Sequence, residues 1–351
     1  MGVPPFEIEF LANCRMGDTM KRWMIAPAFA LLVIQAAGHS AAADPAIVYS
    51  VGGKFDGSFN ESAYTGVTRY KEETGKTVRE FEIERAAQSL QALRNFATRN
   101  HAPIVAIGFN QASAVGEAAK VFPDKSFAII DMVVDAPNVA SYVFKEHEGA
   151  YIAGVLAAKA SESGVIGFVG GMDIPIIRRF LCGYQEGALA TNPDIKVLYN
   201  MAGDTPAAFA DPVRGAELAR GQIDAGADVI IQAAGGTGIG VLQAAADADV
   251  LGIGTDSNQN GLHSGKVLTS IRKRVDNAVY DSFTAAANGS FEPGVRVLGL
   301  AEGGMDWVLD DHNRALISDD MKSAADSAVS AISDGSLKVH DVLTDGPCPH
   351  S

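Results

Sequence analysis

The chain of 351 residues is 47% hydrophobic and 20% charged, which provides for real cores and is incompatible with a disordered chain. Its formal net charge is -14, with no basic stripe to offset it. Nucleic acids and anionic membranes are held largely by Lys and Arg on phosphates, so neither is expected as a partner.

At the N-terminus, "MKRWM" from Met20, the apolar run "IAPAFALLVIQAAG" and the small residues of "HSAAADP" have the form of an export signal cut after about Ala43, with Met20 as the natural start. The apolar run spans 14 residues, and crossing a bilayer needs roughly 20. "LANC" at Cys14 imitates a lipoprotein cleavage site, but Glu7 and Glu9 precede it and no basic segment does. The expectation is an exported, soluble, acidic protein of the periplasm, with residues 1–43 removed. In that oxidising compartment Cys182 and Cys348 can pair and pin the C-terminal tail, the alternative being a buried Cys182 and a loose Cys348. No cysteine or histidine has zinc-ligand spacing, so no metal is expected.

From residue 46 onward strands and helices alternate. "AIVYSV", "TVREFEIE", "APIVAIGF" and "SFAIIDM" read as strands, separated by helical patterns in "NESAYTGVTRYKEETG", "AAQSLQALRNFATRN" and "ASAVGEAAKVF". The grammar restarts at "GVIGFVGG" and runs through "IKVLYNMA", "ADVIIQAA" and "VLGIGTD", again with helical stretches between them. The triplets Val51-Gly52-Gly53 and Val169-Gly170-Gly171 open corresponding turns. The strands "IVAIG" and "VIIQA" lie 125 residues apart, as do the strand-ending Asp131 and Asp256. Apolar runs between helices indicate parallel sheets, so the chain is expected to be a duplicated, doubly wound α/β fold.

In such sheets ligands gather outside the carboxyl ends of the strands, and two facing lobes would share one cleft. The strand-end loops therefore supply the candidates. The first carries Asp56, Ser58, Phe59 and Asn60; Phe59 could instead cap the core and Asn60 the helix it begins. The next carry Phe109, Asn110, Gln111 and Asp131, and the second half offers Phe209, Gly235, Gly236 and Asp256. "AAGGTGIG" lacks dinucleotide-binding spacing, so its glycines read as room for close approach of backbone to ligand. Lys273 follows the strand "KVLTSI", and on spacing alone is as well read as a surface lysine. His147, in "KEHEG", reads as surface polarity.

Taken together, "VGGKFDGSFN", "EHEGAYIAG", "GFVGGMDIPIIRRF", "GTDSNQN" and "SIRKRVDNAVYD" resemble the basic-membrane-protein family of periplasmic substrate-binding proteins, which includes purine-nucleoside receptors of ABC importers. The resemblance implies a type I periplasmic binding protein, two Rossmann-like lobes joined by hinge strands. The first lobe would hold 44–146 and 259–290, the second 147–258 and 291–340, and 341–351 would form a tail. It also implies a monomeric, non-enzymatic receptor with a purine nucleoside or base clamped between Phe59 and Phe209 and an ABC permease as partner. Asp56, Asn60, Asp131, Gly236, Asp256 and Lys273 would supply polar contacts, and Asn110 or Gln111 a contact to the base edge. Phe209 stands where a tryptophan is expected in the family, and Asn110 where an apolar residue is usual. A riboflavin receptor of the same family and a periplasmic nucleoside hydrolase are the alternatives.

Overall fold

The computed structural model describes residues 44–350, so the export signal expected over 1–43 lies outside the described residues. Strands β1 (Ala46–Tyr49), β2 (Arg79–Glu82), β3 (Ile104–Ile107), β4 (Phe127–Ile130) and β5 (Val139–Phe144) alternate with helices α1 (Phe59–Thr74), α2 (Ser89–Thr98) and α3 (Ala112–Val121). The second series has α4 (Glu146–Ala160), β6 (Val165–Met172), α5 (Pro175–Thr191), β7 (Lys196–Gly203) and α6 (Pro212–Asp224). It continues with β8 (Val229–Ala233), α7 (Thr237–Asp247), β9 (Leu251–Asp256), β10 (Val267–Lys273) and α8 (Val275–Ala287). Strands β11 (Gly294–Leu298) and β12 (Met305–Trp307) and helix α9 (Asp319–Ser333) complete the described strands and α-helices.

One sheet has the order β2-β1-β3-β4-β5-β11 and the other β7-β6-β8-β9-β10-β12. All pairings are parallel except that of β10 with β12. The first five positions correspond one to one, and this repeated order is the duplication seen in the sequence. The runs "AIVY", "IVAI" and "FAII" are buried throughout because helices cover both faces of a central parallel strand. At the edge, β2 reads "REFE" and is largely exposed, its charges blunting an open strand edge. In both sheets the strand order reverses on either side of the first strand, between β1 and β3 and between β6 and β8. That is where an open α/β sheet leaves a crevice.

The lobes exchange helices. Helix α4 follows β5 of the first sheet but packs on α5 of the second lobe. There a Cβ on Gly183 would lie 2.2 Å from the His147 carbonyl oxygen, and one on Gly187 2.1 Å from that of Tyr151. Only glycine permits such backbone approach. Reciprocally, α8 follows β10 of the second sheet but packs on α1, where a Cβ on Gly66 would meet the Asp276 carbonyl oxygen at 2.3 Å. The chain therefore crosses between lobes at 144–146, at 273–275 and between β11 and β12.

This corrects the expected lobe boundaries in two places. Strand β10, placed by sequence in the first lobe, pairs with β9 in the second sheet, and β11, placed in the second, pairs with β5 in the first. The expectation assigned continuous stretches to one lobe, whereas the chain changes lobe between a strand and the helix that follows it. His147 is a further correction. Helix α4 is buried along Glu146–Ala158, and burial, with Arg179 nearby, pushes the His147 imidazole down to about 4.

Cys182, on the buried face of α5, is disulfide-bonded to Cys348 across 166 residues of sequence, so the tail is stapled to the second lobe. Replacing Cys348 by Ser is expected to lower the unfolding free energy by about 2–4 kcal/mol in urea titration, since the unfolded chain regains loop entropy. Reduced wild type should then match the variant.

Candidate functional site

The strand-end loops of both lobes line one cavity, at the place where open α/β sheets take small molecules. From the first lobe, Asp56, Phe59, Asn60, Phe109, Asn110 and Asp131 line it; Phe209, Gly235, Asp256 and Lys273 line it from the second. The remaining three expected site residues, Ser58, Gln111 and Gly236, stand behind that lining. Thr255 and the apolar wall formed by Ile174, Ile177 and Phe180 were not anticipated. They are an ordinary strand residue and a helix face by pattern, and no sequence signal marks them.

The opening loop is built around Asp56. Its carboxylate accepts from the backbone N–H groups of Ser58 (2.9 Å), Asn60 (3.0 Å) and Glu61 (3.1 Å), and from Asn60 Nδ2 (3.0 Å). These are the otherwise unpaired donors of the α1 N-terminus, so Asp56 serves as its cap. Burial pushes its carboxyl up, against those hydrogen bonds. Asn60 Oδ1 accepts from the Ser50 N–H at 2.9 Å, tying the end of β1 to α1. Both residues line the cavity with polar atoms already engaged in the loop.

Besides Phe180 in the apolar wall, three rings approach the cavity. Phe109 and Phe209 meet edge to face across the lobes, with centroids 6.4 Å apart and planes at 65°. Phe209 rests on β6, where a Cβ on Gly171 would fall 2.2 Å from its ring, so the last glycine of the second "VGG" makes its berth. Phe59, the first residue of α1, packs against the core and lies 5.3 Å from Lys273 Nζ.

Asn110 and Gln111 divide. Gln111 is fully buried and donates through Nε2 to the carbonyl oxygens of Val48 (3.0 Å) and Ile107 (2.9 Å), so it stitches β1 to β3 and does not face the cavity. Asn110 faces it. Among the described residues nothing accepts from its buried Nδ2, and the hydroxyl of Thr255 on the opposite lobe is likewise unpartnered. Buried polar atoms without partners are uncommon in native proteins, and two facing one cavity from opposite lobes ask for a ligand.

Asp131 and Asp256 end their strands in the left-handed region, with φ of 72° and 68°. A non-glycine residue held there is strained, and such strain collects at ligand clamps. The geometric repeat strengthens the correspondence seen in spacing. Burial pushes both carboxyls up to about 6, and Lys273 opposes that rise in each. Lys273 is itself buried at the end of β10, with Nζ at 2.6 and 2.7 Å from the two Asp131 oxygens and 2.9 Å from Glu146 Oε1. It hydrogen-bonds Asp131 Oδ2 and pairs with Glu146, and the ammonium stays charged because these carboxylates hold it above its ordinary range against the effect of burial.

Across the cleft the lobes are already bonded. Ser58 Oγ donates to Asp256 Oδ2 at 2.7 Å, Ser257 Oγ to the Ser58 carbonyl at 2.7 Å, and Gln259 Nε2 to the Gly57 carbonyl at 2.7 Å. Gly236 packs within 3.6 Å of the Asp56 carbonyl oxygen, measured from where its Cβ would stand. Ser58 and Gly236 therefore belong to the seam between lobes. Among the described residues no cluster of three or more His, Cys, Asp or Glu is placed to hold a metal, and no helix is long and apolar enough to cross a membrane.

A family model described as "ABC transporter substrate-binding protein PnrA-like" matches residues 45–338. The ABC transporter nucleoside-binding protein BmpA of Lactococcus lactis is 34% identical over 319 residues, covering 84% of this chain and 88% of the relative. A lipoprotein of Pyrococcus horikoshii is 33% identical over 282 residues, covering 76% and 69%. Among solved structures, an ABC transporter solute-binding protein from Aeropyrum pernix aligns with a TM-score of 0.78 and 27% identity, over 85% of this chain and 93% of that one.

Proposed function

The chain belongs to the family of PnrA-like ABC transporter substrate-binding proteins, and on that premise we propose that it is an exported receptor that closes on a purine nucleoside and presents it to a permease. The observation that carries the reading is the cavity itself, which Phe59 and Phe209, one from each lobe, line together with two buried carboxylates and an amide whose Nδ2 has no partner. Stacking on an aromatic ring is worth roughly 1–3 kcal/mol per base and tolerates any base. Selectivity then falls to polar groups. Asn110 Nδ2 donates to an acceptor on the base edge, while Asp131 and Asp256 accept from base N–H or ribose hydroxyls. A site built to bond hydroxyls rejects analogues without them, because its own buried groups are left unpaired. Two stacks and a few charge-assisted bonds, less the cost of association, support a Kd near 1 μM, or about -8 kcal/mol.

Lys273 takes a different role from the polar ligand contact that the resemblance implied. Hydrogen-bonded to Asp131 and paired with Glu146, it holds Asp131 in place, and the ribose falls to Asp256. The seam made by Ser58, Ser257 and Gln259 converts occupancy into a closed shape that a permease can read, as hinge closure does in binding proteins generally. The leader supports release into the periplasm, and the lipoprotein relative supports a tether to the membrane; both keep the receptor outside the cytoplasm.

Two measurements test the proposal. Inosine incubated with the protein should be retained at one equivalent and recovered intact; steady release of hypoxanthine would make the protein a hydrolase. Affinity should also fall on acidification. Asp131 and Asp256, both with carboxyls near 6, bind hydroxyl donors as carboxylates, so Kd should be flat above pH 7 and rise below pH 6 by up to about tenfold per pH unit for each proton taken up. A Kd unchanged from pH 8 to pH 5 would remove the carboxylates from the site.

A further inference from the structure

We infer that Glu146 and Arg179, which do not line the cavity, are positioning residues for the Asp131 carboxylate, acting on it through Lys273. The inference rests on the reading of Asp131 as a ligand contact. Glu146 opens α4 at the first crossing between lobes, and its two oxygens face two cations. Oε1 meets Lys273 Nζ at 2.9 Å and Oε2 meets Arg179 Nη1 at 2.8 Å. Arg179, on α5, extends Nη2 to Asp341 Oδ2 at 2.8 Å, and its Nη1 also donates to the carbonyl of Phe144, the residue that ends β5. The result is an unbroken ionic chain, Asp131–Lys273–Glu146–Arg179–Asp341, that starts at the cavity in the first lobe, passes two hinge crossings and ends in the stapled tail.

Burial makes this chain a constraint. Asp131, Lys273, Glu146 and Arg179 are all less than a tenth exposed, so no member can turn to water when a partner leaves. A buried charge keeps its place only while its counter-charge keeps its own. Among the described residues the Lys273 ammonium forms ion pairs with Asp131 and Glu146. Glu146 thus fixes where the ammonium stands, the ammonium fixes both Asp131 oxygens, and Arg179 fixes Glu146. A mere structural filler would supply volume and hydrogen bonds at this place, but its charge would not register at Asp131.

That difference is measurable without ligand. Asp131 faces Lys273, which lowers its proton affinity, and Glu146 and Asp256, which raise it. Glu146 faces Lys273 and Arg179, with the neutral His147 beside the latter. The experiment is a titration of the Asp131 side-chain carboxyl by 13C NMR in the ligand-free protein, assigned with Asp131→Asn. In Glu146→Gln, which keeps shape and an acceptor but loses the charge, the Asp131 midpoint is expected to fall by about one pH unit as a like charge is removed. Asp341→Asn, at the partly exposed end of the chain, should move it the same way by less, because Arg179 is then freed to neutralise Glu146. A folded Glu146→Gln protein with the wild-type midpoint overturns the inference. If that variant does not fold, an unmoved midpoint in Asp341→Asn overturns it. Failure of the wild type to take up any nucleoside is a separate result, and strikes the ligand reading alone.

Discussion

Replacing Lys273 with Met is expected to lower the unfolding free energy by about 3–5 kcal/mol, the effect of removing one partner from a buried ion pair. The side chain has nearly the same length, so the loss is electrostatic. Asp131 and Glu146, both buried, would face each other without the ammonium between them. Neutralising one carboxylate is the cheap escape, and the variant should therefore recover part of its stability as pH falls toward 5. The sign follows from Asp131, whose carboxyl is already raised in the folded protein. A group whose folded pKa lies above its unfolded value contributes stability that is full below the unfolded value and is lost as pH rises through the folded one. Urea titrations of wild type and variant at pH 7.5 and 5 measure both. A variant as stable as wild type at pH 7.5 would mean that Lys273 is not the counter-ion of this cluster.

The second large effect is on affinity. Phe59→Ala and Asp256→Ala are each expected to weaken nucleoside binding at least tenfold without unfolding the protein. For Phe59 the loss is one face of the stack, about 1–3 kcal/mol. For Asp256 it is an acceptor in a closed cavity together with the bond from Ser58 Oγ that helps hold the lobes shut. The two losses should be distinguishable, since the Phe59 variant weakens nucleosides and free bases alike, whereas the Asp256 variant weakens nucleosides more. Wild-type affinity in both would withdraw the site assignment.

Much of the fold was legible because a parallel strand buried on both faces has few ways to be written. "IVAI" and "VIIQA" can be little else between helical patterns, and their equal spacing from Asp131 and Asp256 exposes the duplication. The first crossing was expected close to where it lies, at 146, but the later ones were not legible. Strands β11 and β12 are short, β11 is largely exposed, and what makes them strands is the edge they join, a tertiary fact. The same limit hid the ionic chain. Glu146 and His147 in "KEHEG", and Arg179 in "IIRRF", are charged or polar residues at helix starts, where sequence reads solvent. Their signal was the company they keep, because the helices that follow are too rich in Ala, Gly and apolar residues to present a solvated face. Gln111 fails in the opposite direction, as an amide beside the cleft by sequence that the backbone of β1 and β3 claims first.

The account stands most directly on an isothermal titration of the protein, stripped of ligand by unfolding and refolding, against inosine, guanosine, adenosine, adenine and riboflavin. Binding of the nucleosides with Kd near 1 μM, with adenine at least tenfold weaker and riboflavin silent, is the predicted result. Tight binding of adenine alone would keep the aromatic clamp and contradict the ribose contacts; riboflavin alone, or no heat from any of the five, would contradict the nucleoside receptor itself.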